Sequence, residues 1–69
     1  KEIPNLEALD EEDESLIGHL LLTMQRIAEQ LGIEKGYRVV LNNGPDAGQE
    51  VMHLHFHMLA GREFGWPPG

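Results

Sequence analysis

The stretch Val51-Met52-His53-Leu54-His55-Phe56-His57-Met58-Leu59 carries the decisive pattern of this chain. Side chains of an extended strand alternate between its two faces, with about 6.5–7 Å of backbone between residues i and i+2. His53, His55 and His57 therefore fall on one face, and Met52, Leu54, Phe56 and Met58 on the other. The second face is apolar throughout and calls for a hydrophobic partner. The first carries imidazoles, which contribute little to packing and cost solvation when partly covered. One strand, assigned to residues 50–59, thus has a core side and a chemical side.

Upstream lies Asn43-Gly44-Pro45-Asp46-Ala47-Gly48, a loop rich in turn formers. It is too long for a two-residue hairpin, so it has room to shape a site. Before it, residues 37–42 (Tyr37-Arg38-Val39-Val40-Leu41-Asn42) read as a second strand. Residues 11–31 form the clearest helix. Leu16, Ile17, Leu20, Leu21, Met24, Ile27, Ala28 and Leu31 recur at spacings of three and four and make one wide apolar stripe. Its natural partner is the apolar face of the histidine strand. Asp10 is the predicted N-cap, and Glu11, Glu12, Asp13 and Glu14 crowd the positive end of the helix dipole. Gly32 stands where a left-handed C-terminal residue is wanted. His19 falls on or beside the apolar stripe, where a structural role is expected. Residues 1–10, with Pro4 and Asn5, read as an extended entry segment. Residues 60–69 end in Gly65-Trp66-Pro67-Pro68-Gly69 and read as an extended tail pinned by Trp66.

Composition narrows the function classes. A 69-residue chain is at most one small domain, and a chain of that size buries only about 60% of its unfolded surface. It has no cysteine and hence no disulfide to compensate. A two-stranded sheet is itself a poor structure alone. Further strands are therefore expected from an N-terminal part, from a second subunit, or from both. No signal-like segment follows Lys1, and apolar runs such as Leu20-Leu21-Leu22 fall far short of a membrane span. The net charge of −7 is uneven: residues 1–14 hold seven of the twelve acidic residues. That excess argues against non-specific binding to nucleic-acid backbones. It says little about a pocket at the other end of the chain. A cytoplasmic protein is expected, with the nucleus as an alternative compartment in a eukaryote.

Two chemistries suit the histidine face. Imidazoles two apart on a strand can reach one zinc ion, with a further ligand supplied from nearby. No carboxylate or thiol stands at a matching spacing, however, and the outer histidines are far apart for one ion. Alternatively, one imidazole acts as a nucleophile while neighbours hold its tautomer and bind an oxyanion.

The run His53-Leu54-His55-Phe56-His57-Met58-Leu59 resembles the His-φ-His-φ-His-φ-φ signature of the histidine-triad (HIT) superfamily, φ being apolar. Gly36 to Asn42, Gly48-Gln49, Gly61-Arg62 and Trp66-Pro67-Pro68-Gly69 extend the resemblance, and make it similar to the Hint branch. It covers nearly the whole chain, from Asp13-Glu14-Ser15-Leu16 to the last glycine. The resemblance implies an α+β, HIT-like fold with an antiparallel sheet of about five strands, paired into a homodimer. This chain would supply the C-terminal part: one long helix, two strands and the tail.

The implied activity is that of a purine nucleoside phosphoramidase. His55 would attack the α-phosphorus of an adenosine 5'-monophosphoramidate, and water would hydrolyse the nucleotidyl-histidine. His53 and His57 would orient and protonate the site, with His57 also touching the phosphate. Asn42, Gly48 and Gln49 would bind the phosphate region, and Trp66 would close the leaving-group side in the dimer. No metal and no other cofactor is required. The implied ligands are purine nucleoside monophosphates and phosphoramidates. No membrane partner and no direct nucleic-acid partner is expected. Two departures bear on this. Glu50 stands where part of the branch has a hydroxyl residue, and the family's N-terminal half, with its ribose-binding acid, has no counterpart in residues 1–10. Little activity is therefore expected of this chain alone. The alternatives are a non-catalytic nucleotide-binding or scaffold protein, and a metal site on the His53/His55/His57 face.

Overall fold

The computed structural model describes residues 2–67; the ends of the expected entry and tail segments, Lys1, Pro68 and Gly69, lie outside the described residues. The main helix, α1, spans Glu14–Gln30. A 3-10 turn at Glu11–Asp13 precedes it, so the predicted first turn is wound more tightly than an α-helix. The cause is local. Asp10 accepts a hydrogen bond from the Glu12 N–H at 3.0 Å, and the Asp13 carboxylate accepts one from the Asp10 N–H at 3.0 Å. The two aspartates form a reciprocal capping box that satisfies N–H groups with no intrahelical partner. Asp13 is buried in doing so.

The helix stops as its sequence predicts. Gly32 adopts a left-handed φ of 68°. Its N–H donates to the Glu29 carbonyl at 3.1 Å, and the Ile33 N–H to the Ala28 carbonyl at 3.0 Å. This Schellman pair closes the last orphan carbonyls.

Two antiparallel strands follow, β1 at Arg38–Val40 and β2 at His57–Leu59. Their register pairs Arg38 with Leu59, Val39 with Met58, and Val40 with His57. The ladder is much shorter than the expected strands 37–42 and 50–59. The chain between them leaves the sheet through a 3-10 turn at Pro45–Ala47 and a bend at residues 51–53. Beyond His57 the triad strand takes a different neighbour: the Leu54 N–H donates to the Ile3 carbonyl at 2.6 Å. A ladder extends only as far as its partner, and here the entry segment replaces β1.

The apolar faces of helix and strand border a common groove, while Leu16, Leu21, Ile27 and Leu31 of the stripe remain exposed. Leu20, Met24 and Ile27 of α1 and Leu54, Phe56 and Met58 of the triad strand line one groove, which His55 also borders. Met52 departs from the expectation and is exposed, because the bend at 51–53 interrupts the alternation before the strand straightens. His19 is likewise exposed on the helix. No helix among the described residues is long and apolar enough to cross a membrane.

The tail is held differently from the sequence-based expectation. Trp66 is 83% exposed and is not buried against the described residues. Arg38 of β1 holds the tail instead. Its guanidinium donates to the Gly65 carbonyl at 2.9 Å and lies 4.9 Å from the centre of the Phe64 ring. Arg62 stacks on the same ring at 4.5 Å. A planar cation can face an aromatic ring and still reach a carbonyl, a combination that an ammonium group reproduces poorly. Arg38→Met keeps the aliphatic stem but removes both contacts. In the full-length protein, amide-exchange protection of residues 64–66 is expected to fall in that variant; unchanged protection would show that Arg38 does not hold the tail.

Candidate active site

The structure brings His55 and His57 together and gives His53 a different part. The rings of His55 and His57 meet edge to face, with centroids 5.0 Å apart and planes at 70°. His55 is half-buried and His57 exposed. The Nδ1 of His55 lies 2.8 Å from the backbone carbonyl oxygen of His53. A carbonyl oxygen only accepts, so Nδ1 is the nitrogen that carries the proton. In the neutral ring, Nε2 is then left with a free lone pair. His53 thus contributes its main chain to the site, while its residue sits in the bend and is exposed. Among the described residues, no three His, Cys, Asp or Glu side chains converge as a metal-ligand group.

Asn42 is half-buried just past β1. The ladder ends at the Val40–His57 pair, two residues before Asn42, and Leu54, next to His55, bonds to Ile3 instead.

Gly48 and Gln49 are tied into the loop. The Gly48 N–H donates to the Pro45 carbonyl at 3.0 Å, and the Gln49 N–H to the Gly44 carbonyl at 3.1 Å. The Gln49 side chain is engaged at both ends: it accepts from the Gly44 N–H at 2.8 Å and donates to the carbonyls of Pro4 at 2.6 Å and Val51 at 3.1 Å. These groups shape the loop, and a phosphate would have to draw them from their present partners. Glu50 and Trp66, the remaining positions that the sequence singled out, are both exposed.

The loop depends on a backbone conformation at Gly44 that side chains forbid. Its φ of 90° and ψ of 171° lie in a region occupied essentially by glycine alone. No atom lies within 4 Å of where a Cβ would stand, so the penalty of a substitution is backbone strain and not collision. Gly44→Ala is expected to destabilise the full-length protein by about 1–3 kcal/mol, measured as a lowered urea midpoint. An unchanged midpoint would mean that the loop adopts another path.

One residue with a defined position here escaped the sequence reading. Asn43 accepts from the Leu6 N–H at 2.7 Å and donates through Nδ2 to both carboxylate oxygens of Glu7, at 3.0 and 3.3 Å. The hydrogen bond from Asn43 holds the Glu7 carboxyl below its ordinary value of 4.5. Nothing in the local pattern marks Asn43, since its partners lie 36 and 37 residues away.

Comparison with known proteins gives a consistent family. The HIT domain profile matches residues 1–64. An uncharacterized HIT-like protein of Synechocystis sp. is 52% identical over 69 residues, covering 100% of this chain and 60% of its own length. Another, from Synechococcus elongatus, is 54% identical over 67 residues, covering 97% and 59%. Among solved structures, a HIT family hydrolase from Legionella pneumophila superposes with a TM-score of 0.94 at 38% identity, covering 100% of this chain and 62% of its own. A histidine triad protein from Clostridium difficile gives 0.85 at 35% identity, covering 94% and 57%. The chain therefore spans about 60% of the length of the relatives it matches.

Proposed function

The chain belongs to the HIT domain family, and from that premise we propose that the full-length protein is a Hint-type purine nucleoside phosphoramidase acting through His55. The observation that carries this reading is the 2.8 Å contact of His55 Nδ1 with the His53 carbonyl, which leaves Nε2 unprotonated in the neutral ring. Nε2 attacks the α-phosphorus of an adenosine 5'-monophosphoramidate. The N–P bond to His55 forms as the bond to the leaving amine breaks, and the amine departs after gaining a proton. Water then attacks the same phosphorus, and His55 leaves as the neutral imidazole with release of the nucleoside monophosphate.

The physical advantage lies in the charge. As Nε2 bonds to phosphorus, the ring becomes cationic, and a hydrogen bond from a cationic donor is stronger than one from a neutral ring. The His53 carbonyl therefore stabilises the transition state more than the ground state, which is the condition for raising kcat. His57, at the edge of the His55 ring, is the group placed to contact the phosphoryl oxygens and pass the leaving-group proton. Asn42, just past β1, supplies an amide to the phosphate. Gly48 and Gln49 set the loop that frames it. Trp66, exposed on a tail anchored by Arg38, serves the leaving-group side of the site in a homodimer. The reaction in this reading needs no metal, and the protein works in the cytoplasm.

The test is turnover of a fluorogenic adenosine phosphoramidate by the full-length protein. Hydrolysis that depends on His55 supports the enzyme. Binding of AMP without any turnover defeats it and leaves a nucleotide-binding module.

A further inference from the structure

We infer that Asn43, paired with Glu7, is a positioning residue that fixes the site loop to the entry segment and thereby holds the adjoining Asn42 in place beyond β1. This inference rests on the phosphoramidase reading for its kinetic consequences, but the clamp itself is a structural statement.

The observations converge on residues 3–7. The Ile3 carbonyl accepts from Leu54, one residue before His55; the Pro4 carbonyl accepts from Gln49; the Leu6 N–H and the Glu7 carboxylate both meet Asn43. The entry segment is thus fastened to both ends of the loop that joins β1 to the triad strand. Asn43 is the fastening at the β1 end. It uses its whole amide in doing so, the oxygen toward the Leu6 N–H and the nitrogen toward Glu7. It also directly follows Asn42 in the chain, so any rotation of one displaces the other. Without this tie, the segment from Leu41 to Gly44 keeps, among the described residues, the contacts of Gly44 with Ala47 and Gln49 on the loop side. A group misplaced by about 1 Å at a phosphoryl centre can cost on the order of a hundredfold in rate.

The pair permits an exchange of polarity. In Asn43→Asp, the Leu6 N–H keeps its acceptor but the donor to Glu7 is lost and two carboxylates face each other. In Asn43→Asp combined with Glu7→Gln, the amide and the carboxylate change places, and the hydrogen bond returns with its direction reversed. Glu7→Gln alone keeps an acceptor for Asn43 and is expected to remain within about twofold of the unaltered protein, in line with a solvent-exposed hydrogen bond.

In the full-length protein, Asn43→Asp is expected to lower kcat/KM for adenosine phosphoramidate about tenfold, with the larger part in kcat. The double variant should recover to within about threefold. Thermal midpoints are measured in parallel, and the loss is expected at temperatures where both variants remain folded. A loss that the double variant fails to recover, or an Asn43→Asp enzyme with unchanged kcat, overturns the positioning role. A second readout is independent of turnover. Amide exchange at residues 42–44 and the His55 ring resonances should shift in Asn43→Asp and return in the double variant. If the unaltered protein has no turnover at all, the phosphoramidase reading fails. The clamp is then judged by these resonances alone, and their indifference to Asn43→Asp overturns it.

Discussion

His55→Gln in the full-length protein is expected to reduce kcat/KM for an adenosine phosphoramidate by at least about 10⁴-fold, the scale on which removal of a catalytic nucleophile is felt. Glutamine retains length and hydrogen-bonding capacity but has no nitrogen lone pair able to form a bond to phosphorus. The adduct itself gives the second readout. Enzyme quenched rapidly under alkaline denaturing conditions, in which a P–N bond survives, should show the added mass of a nucleotidyl group on the peptide containing His55, and the variant should show none. The structure also orders the triad by effect. His53 is engaged through its backbone carbonyl, which His53→Ala leaves in place, so its loss should be much milder than that of His55→Gln. His57 touches the His55 ring directly, and His57→Ala should fall between the two. Turnover of His55→Gln within tenfold of the unaltered protein would sink the nucleophile assignment. An effect of His53→Ala as large as that of His55→Gln would sink the argument that His53 acts through its main chain.

The second large effect concerns the 69-residue chain by itself, which is expected to unfold in urea without a cooperative transition and to bind a hydrophobic dye strongly. It exposes 5717 Å² of surface, whereas a compact monomer of this mass exposes about 4,400 Å². The excess, about 1,300 Å², is larger than the roughly 800 Å² that each partner contributes to a standard protein interface. Among the described residues no large side chain is fully buried, Ala28 is the only buried apolar one, and Leu31 on the helix stripe is 70% exposed. Cooperative unfolding requires a core whose loss is all-or-none, and the groove between α1 and the triad strand is open on one side. The same chain should hydrolyse adenosine phosphoramidate far more slowly than the full-length protein, which should melt in one step with little dye bound. A single sharp transition of the isolated chain, with a slope of about 1 kcal/mol/M or more in urea, would refute this.

The helix, its stripe and its two ends were legible because each depends on residues within a turn of one another. Asp10 and Asp13 meet three residues apart, and the N–H groups of Gly32 and Ile33 close the helix on carbonyls three and five residues back, respectively. The strand pair was legible in kind but not in extent. Alternation identifies an extended segment, yet the ladder ends at Val40 and His57 because the next partner of the triad strand is the distant Ile3. The tail shows the same limit. Trp66 is the conspicuous residue in sequence, and its exposure follows from Arg38 taking hold of Phe64 and Gly65 first.

The sequence by itself determined that three alternating histidines follow a long amphipathic helix, and therefore the family. Only the tertiary structure decided which histidine donates to which carbonyl, that Gly48 bonds within the loop while Gln49 also reaches Pro4, and that Asn43 ties that loop to Leu6 and Glu7. The reason is physical. Periodicity and capping act over a few residues, whereas the hydrogen bonds that fasten the loop and the tail join groups 27 to 45 positions apart, and no local pattern specifies which of the available partners a polar group will meet.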